Sequence, residues 1–282
     1  MPMRKDRLTR VALAAAAAAG LCLAWAQAQQ PAELTLQKIA DDVYVILGSG
    51  GNVAFMPTRE GVILIDDKFS QDGPQILAKV KSVTAQPIRY VINTHQHGDH
   101  TGGNAALLQA GAEILIHKNA RANMAAAEMP GIPRITFSDE SQVFLGGKEV
   151  EARYFGRGHT NGDVMVYFPA QRIVHTGDLF VSGAPFCDTS AGCSIKEWDK
   201  TLQKALAAMD FDTVIPGHGP VMKKADLVKY VQTVASVRDH ISKACQGGAD
   251  TAAQRLNLSD LGLQASAMVL RGVPGMCKEL AQ

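Results

Sequence analysis

The chain has 282 residues, 46% of them hydrophobic and 20% charged. That is an ordinary globular composition, with enough apolar side chains for one large domain or two small ones. Lys and Arg number 28 against 27 Asp and Glu, a net charge of +1, which lacks the basic footprint of a nucleic-acid-binding protein.

The first segment reads as an export leader. Arg4, Lys5, Arg7 and Arg10 form a basic head, residues 11–25 an alanine-rich apolar stretch, and Ala26-Gln27-Ala28 a small-x-small cleavage pattern. The stretch is shorter than the roughly 20 apolar residues of a membrane span. Cys22 follows the bulky Leu21, unlike a lipoprotein signal. Cleavage after Ala28 takes away four bases and one acid, leaving 24 bases against 26 acids, a net of −2. These features predict a periplasmic protein with no stable membrane insertion after cleavage and no nucleic-acid partner.

Residues 34–67 are strand-like: 34–36 alternate, and 43–47, 53–56 and 62–65 are apolar runs punctuated by Gly48-Ser49-Gly50-Gly51 and Arg59-Glu60-Gly61. Residues 74–84 read as a helix with Ile76, Val80 and Val83 on one stripe. A short strand at 90–92 leads straight into His95-Gln96-His97-Gly98-Asp99-His100. Beyond it lie a helix at 103–109, a strand at 114–116 and a helix at 120–128. The second half repeats the style, with strands at 143–155, 164–168, 173–175 and 213–215. A helix is predicted from Ser194, whose Ser194-x-x-Glu197 spacing reads as a capping box. A longer helix at 224–244 carries Leu227, Val231, Val234 and Ile241 on one stripe, and residues 247–282 read as a helical tail. Two β-rich halves, each followed by helices, imply two packed sheets with helices outside.

Four cysteines follow the leader, and an even count in an exported chain fits disulfides. Of three pairings, Cys187–Cys193 with Cys245–Cys277 is favoured: one closes a short Gly/Ser loop and the other ties down the tail. No Cys-x-x-Cys pair points to cysteine as a metal ligand.

Imidazole and carboxylate are ligands for zinc and similar divalent ions. Three histidines and an aspartate in six residues diverge on a helix and alternate on a strand, so the run reads as a loop that wraps one metal or two. His159 in Gly156-Arg157-Gly158-His159, Asp178 in Thr176-Gly177-Asp178 and His218 in Pro216-Gly217-His218-Gly219 adjoin predicted strand ends beside glycine. Loops at strand ends can gather on one rim, and glycine allows close backbone approach. Seven candidate ligands are enough for two ions. His117, His175 and His240 read as structural, with His175 also close enough to Asp178 in sequence to support it.

In order and spacing, the His-x-His-x-Asp-His run, the later His, the Gly-Asp and the Gly-His-Gly resemble the metallo-β-lactamase superfamily over about residues 34–245. The resemblance implies an α/β fold: an αββα sandwich of two mixed β-sheets with outer helices and the metals at the rim between the sheets. With the leader at 1–28 read from its own residues, the domains are a catalytic domain at 29–246 and a C-terminal helical tail at 247–282 packed on it. His95, His97 and His159 would bind one metal, Asp99, His100 and His218 a second, and Asp178 would bridge them. Asp66, rather than its neighbour Asp67, would brace the metal loop. The cofactors implied are two Zn2+, with Fe or Mn as substitutes. The reaction implied is hydrolysis of a small amide or ester, β-lactam-like or lactone-like, by a hydroxide between the metals, with Asp99 orienting it. The best-known lactamases carry Cys where Asp178 stands and Lys three residues later, where this chain has Val181. A mono-iron sulfur oxidoreductase of the same fold and a non-catalytic metal-binding accessory protein are the other readings. The oligomeric state is left open.

Overall fold

A computed structural model describes residues 33–282, so the leader expected at 1–28 lies outside the described residues. The apolar runs form two mixed sheets. In the first, β1 (Thr35–Ala40), β2 (Val43–Leu47), β3 (Val53–Thr58) and β4 (Gly61–Ile65) pair antiparallel. Beyond β4, β5 (Ile88–Asn93), β6 (Glu113–His117) and β7 (Ile135–Phe137) continue in parallel. In the second, β8 (Glu140–Leu145), β9 (Lys148–Arg153), β10 (Met165–Phe168) and β11 (Ile173–His175) are antiparallel neighbours. This sheet is completed by β12 (Thr213–Ile215), parallel to β11, and β13 (Met222–Lys223).

Strand residues alternate faces, and in the central strands of each sheet both faces are covered. Val45, Ala54, Ile63, Ile65 and Ile92 from the first sheet meet Val150, Val166, Phe168 and Ile215 from the second in a core between the sheets. The alternate residues Phe55, Val62, Leu64 and Val91 face outward onto α1 (Gly73–Lys81) and α3 (Asn104–Gln109) through Ile76, Val80 and Leu107, and Ile116 packs on α4 (Lys118–Ala126) through Ala120 and Met124. On the far side, Met165, Val174 and Val214 pack on α5 (Trp198–Ala208), α6 (Lys224–Cys245), α7 (Ala249–Arg255) and α8 (Ala267–Leu280). Burial on both faces explains why these strands read as continuous apolar runs. The architecture is the αββα sandwich. Among the described residues, no helix is long and apolar enough to cross a membrane. Both favoured disulfides form, Cys187–Cys193 and Cys245–Cys277.

Three local expectations are corrected. The strand at 143–155 is a hairpin, because Gly146 and Gly147 turn the chain at φ +56° and +80°, a turn conformation that favours glycine. The metal run is only partly a loop: α2 (Gly98–Thr101) is a single turn that carries Asp99 and His100. The capping box at 194–197 is half made. Ser194 Oγ accepts from the Glu197 N–H at 3.1 Å, but the Glu197 carboxylate is taken by Arg157, and the helix begins at Trp198. The Ser194 N–H donates instead to Gly158 O at 3.0 Å, and Glu279 of α8 accepts from the next N–H, that of Ile195, at 3.0 Å.

The fold gathers strand ends. β4 and β5 run parallel with Ile65 opposite Ile92, so Asp66 and Thr94 emerge side by side. β11 and β12 run parallel with His175 opposite Ile215, which releases Asp178 and His218 from neighbouring ends. The carboxyl ends of parallel strands are where open α/β sheets place their ligands. Asn52, between β2 and β3, stitches the two sheets there. Its amide donates to Pro216 O and Gly219 O, both at 2.8 Å.

Candidate metal centre

At this rim the seven sequence-predicted ligands come together in two groups. His95, His97, His159 and Asp178 present ligand atoms all within 4.8 Å of one another, and so do Asp99, His100 and His218. In the first group His97 Nδ1 lies 3.1 Å from His95 Nε2 and 2.9 Å from His159 Nε2.

The outer hydrogen bonds assign the tautomers. His97 Nε2 faces Asp188 Oδ2 at 2.8 Å, and His159 Nδ1 faces the Phe186 carbonyl at 2.6 Å. Both partners only accept, so both of these ring nitrogens carry hydrogen. His95 Nδ1 lies 3.1 Å from Thr94 Oγ1, whose hydrogen is given to Asp66 Oδ2 at 2.7 Å. That hydroxyl is therefore an acceptor for His95. The three inner nitrogens are left as lone pairs aimed at one another, an arrangement that repels itself and suits a cation. Burial lowers the pKa of His95 and His159, which keeps both rings neutral.

The second group has the opposite electrostatics. His100 Nδ1 bonds to Asp66 Oδ2 at 2.7 Å, leaving its buried Nε2 facing Asp178 Oδ1 at 3.2 Å. Neither of these inner atoms has a hydrogen-bond partner, and an unsatisfied buried polar pair calls for an explanation such as an ion. His218 Nε2 lies 3.3 Å from Asp99 Oδ2 and 3.4 Å from Asp178 Oδ1. Burial works against charge on His100, but Asp178 and Asp66 outweigh it and raise its pKa well above the imidazole range. His218 is pushed up to about 9, where burial is again outweighed, by Asp178 and Asp99. Asp178 Oδ2 faces His159 Nε2 at 3.6 Å while Oδ1 faces the second group, so one carboxylate spans both. The donor set and the unpartnered inner atoms fit two divalent ions.

Asp66 lies beneath the second group, fully buried, with a backbone φ of +60°. Its Oδ1 also accepts from Thr94 N–H at 2.7 Å. Asp67 is turned away to Gly103 N–H at 2.8 Å. His175 touches none of the seven; it bonds to Asn52 O at 3.0 Å and accepts from Gly177 N–H at 3.1 Å, fixing the backbone just before Asp178.

Sequence reasoning missed Asp188, Phe186, Thr94 and Lys68. Lys68 is buried, and its ammonium donates to Ser49 O at 2.9 Å and Gly51 O at 2.6 Å. Burial lowers its pKa to about 8, against the pull of Asp72, Asp99 and Asp66. The loop it holds presses Gly51 on the His100 ring, where a β-carbon would come within 2.2 Å of the imidazole. Gly51→Ala is therefore expected to destabilise the protein by about 1–3 kcal/mol, the usual cost of overpacking. Urea unfolding of the metal-free protein measures it, and an unchanged midpoint would show that the ring has room to move.

The sequence model of the metallo-beta-lactamase superfamily matches residues 47–218, which span the whole centre. The chain belongs to this superfamily. The metallo-beta-lactamase type 2 of Bacillus sp. (strain 170) is 28% identical over 181 residues, covering 63% of this chain and 70% of that protein. The enzyme of the same name from Bacillus cereus is 27% identical over 175 residues, 60% of this chain and 67% of that protein. Among solved structures, the metallo-beta-lactamase from Pontibacter korlensis superposes with a TM-score of 0.66 at 25% identity, covering 72% of this chain and 99% of its own. FIM-1 from Pseudomonas aeruginosa, in its mono-zinc form, reaches 0.65 at 22% identity over 74% and 97% of the two chains. The latter likeness is one of fold. The superfamily match ends before α6, α7 and α8.

Proposed function

We propose that this protein is an exported dinuclear zinc hydrolase that opens a small amide or ester, β-lactam-like or lactone-like. The observation that carries the reading is the convergence of three imidazole nitrogens beside a second His/Asp group, with Asp178 facing both. Its relatives named metallo-beta-lactamase support it. On this reading His95, His97 and His159 would hold one ion, Asp99, His100 and His218 the other, and Asp178 would serve both. Iron or manganese could take the same donors. The bound ions supply Lewis acidity, which lowers the pKa of water and polarises a carbonyl.

The chain's own groups divide the remaining work. Asp99 is held anionic, since His218 and His100 outweigh its burial and keep its pKa below the usual carboxylate value. It can therefore orient an attacking water and accept its proton. His97, Asp99 and His218 are the most exposed members of the set, ahead of Asp178, so substrate reaches the centre from their side. Residues 29–246 would form the catalytic domain and 247–282 a tail packed on it. The two disulfides suit an oxidising compartment such as the periplasm.

A cavity of about 310 Å3 borders His97 and is lined by Gln96, Asn123, Met129, Asp188 and Ser190 among others. Among the described residues, no Lys or Arg lines it, and its one acid is Asp188. Neutral substrates should be favoured: p-nitrophenyl butyrate is expected to exceed the anionic p-nitrophenyl hemisuccinate about tenfold in kcat/KM, a difference of roughly 1.4 kcal/mol. Equal or reversed values would remove the cavity from the substrate path. The function itself is tested by metal analysis of the exported protein with a screen of nitrocefin, lactones and thioesters. Two zinc ions with turnover support it; a single iron with thiol-dependent oxygen uptake overturns it.

A further inference from the structure

The outer partners of two imidazoles in the first group sit on one short segment. The Phe186 carbonyl holds His159 Nδ1, and Asp188 Oδ2 holds His97 Nε2. Between them lies Cys187, fully buried and bonded to Cys193. The segment is further fixed by Asp188 N–H to His159 O at 3.0 Å and Cys193 N–H to Asp188 O at 3.0 Å. The other carboxylate oxygen of Asp188 accepts from Ser190 N–H at 3.0 Å, which leaves Oδ2 for His97.

The segment is in turn pressed from behind by α8. A β-carbon at Gly272 would stand 2.6 Å from Cys187 O, and one at Gly275 would stand 2.6 Å from Thr189 side-chain atoms. Each glycine costs a helix roughly 1 kcal/mol relative to alanine, so the pair serves close approach rather than helix stability. Glu279, in the last turn of α8, bonds to Ser194 Oγ and to Ile195 N–H. Cys277 ties the same helix to Cys245 at the end of α6.

We propose that α8, locked by Cys245–Cys277 and seated on the Cys187–Cys193 loop, is a positioning clamp that sets the metal affinity of the His95–His97–His159 group. It touches no ligand. It acts through Asp188 and the Phe186 carbonyl, which fix the ring orientation and tautomer of His97 and His159. The inference rests on the metal-binding reading above. Loss of such outer partners commonly costs about 10–100-fold in affinity.

The test uses the mature chain loaded with cobalt(II), followed by chelator competition and by NMR of the paramagnetically shifted ring N–H signals. Cys245→Ser/Cys277→Ser and, with both disulfides intact, Gly275→Ala are compared with Asp188→Asn. Each is expected to weaken one ion about tenfold or more. The His97 and His159 N–H signals should shift or exchange faster, while the His100 N–H held by Asp66 stays in place. Unchanged affinity and signals in both α8 variants would overturn the clamp. So would equal loss at both ions with a shifted His100 signal, since that marks general loosening. A wild-type protein that binds no ion would instead overturn the metal reading itself, and the clamp with it.

Discussion

His97→Ala is expected to remove the ion from the first group and lower turnover by about 10^4-fold or more, the scale seen when a core member of a catalytic set is deleted. His97 Nδ1 is the atom nearest to both other lone pairs, at 3.1 Å and 2.9 Å. Without it, two buried imidazoles are left, and Asp188 Oδ2 loses its partner. The fold should persist, because the His97 side chain is 25% exposed and belongs to no apolar cluster. Comparison in chelator is needed, since bound ions stabilise the folded state by mass action. The measurements are zinc content, kcat/KM and the thermal midpoint of the metal-free form. Asp99→Ala is the companion: it leaves the three-imidazole group whole, yet turnover should still be lost. Full occupancy and turnover in His97→Ala would sink the metal assignment, while retained turnover in Asp99→Ala would remove only the proton-accepting role of that carboxylate.

The convergence of the candidate ligands was legible in the sequence where those residues are local and chemically uncommon. His95, His97, Asp99 and His100 share six residues, and His159, Asp178 and His218 each adjoin a strand end that the apolar pattern marks. The outer partners were not legible in the same way. Asp188 meets His97 across 91 residues, and nothing in its own neighbourhood distinguishes it from a turn aspartate. The local reading of Ser194-x-x-Glu197 failed for a related reason. Arg157, 40 residues away, takes the Glu197 carboxylate, and the Gly158 carbonyl takes the Ser194 N–H that this carboxylate would have received. In the fold, the strand pattern located β2 to β6 and β10 to β12 because their residues are buried on alternate or both faces. It missed β7 and β13, whose few residues are exposed or half-buried, while the equally short β11 and β12 are apolar and largely buried.

The electrostatic difference between the groups predicts that the ions load at different pH. In the first group, burial keeps His95 and His159 below the ordinary imidazole value, so an ion meets lone pairs freed at lower pH than those of an ordinary imidazole. In the second, His218 keeps its proton up to about 9, and His100 is raised in the same direction. An ion there must displace protons, and each displaced proton changes affinity about tenfold per pH unit below the pKa. Occupancy by zinc, followed by equilibrium dialysis, should therefore stay near one ion around pH 6 and approach two toward pH 9. The metal-free protein should respond with the opposite sign. A pKa raised from 6.5 in the unfolded chain to about 9 in the fold gives stability that is complete below 6.5 and lost as pH rises through 9. Its melting temperature should thus fall across that window. With zinc present it should rise, because the same protons that brace Asp99 and Asp178 in the metal-free site are the ones the second ion replaces. Parallel melting curves with and without zinc would mean that His218 is not titrating against the metal.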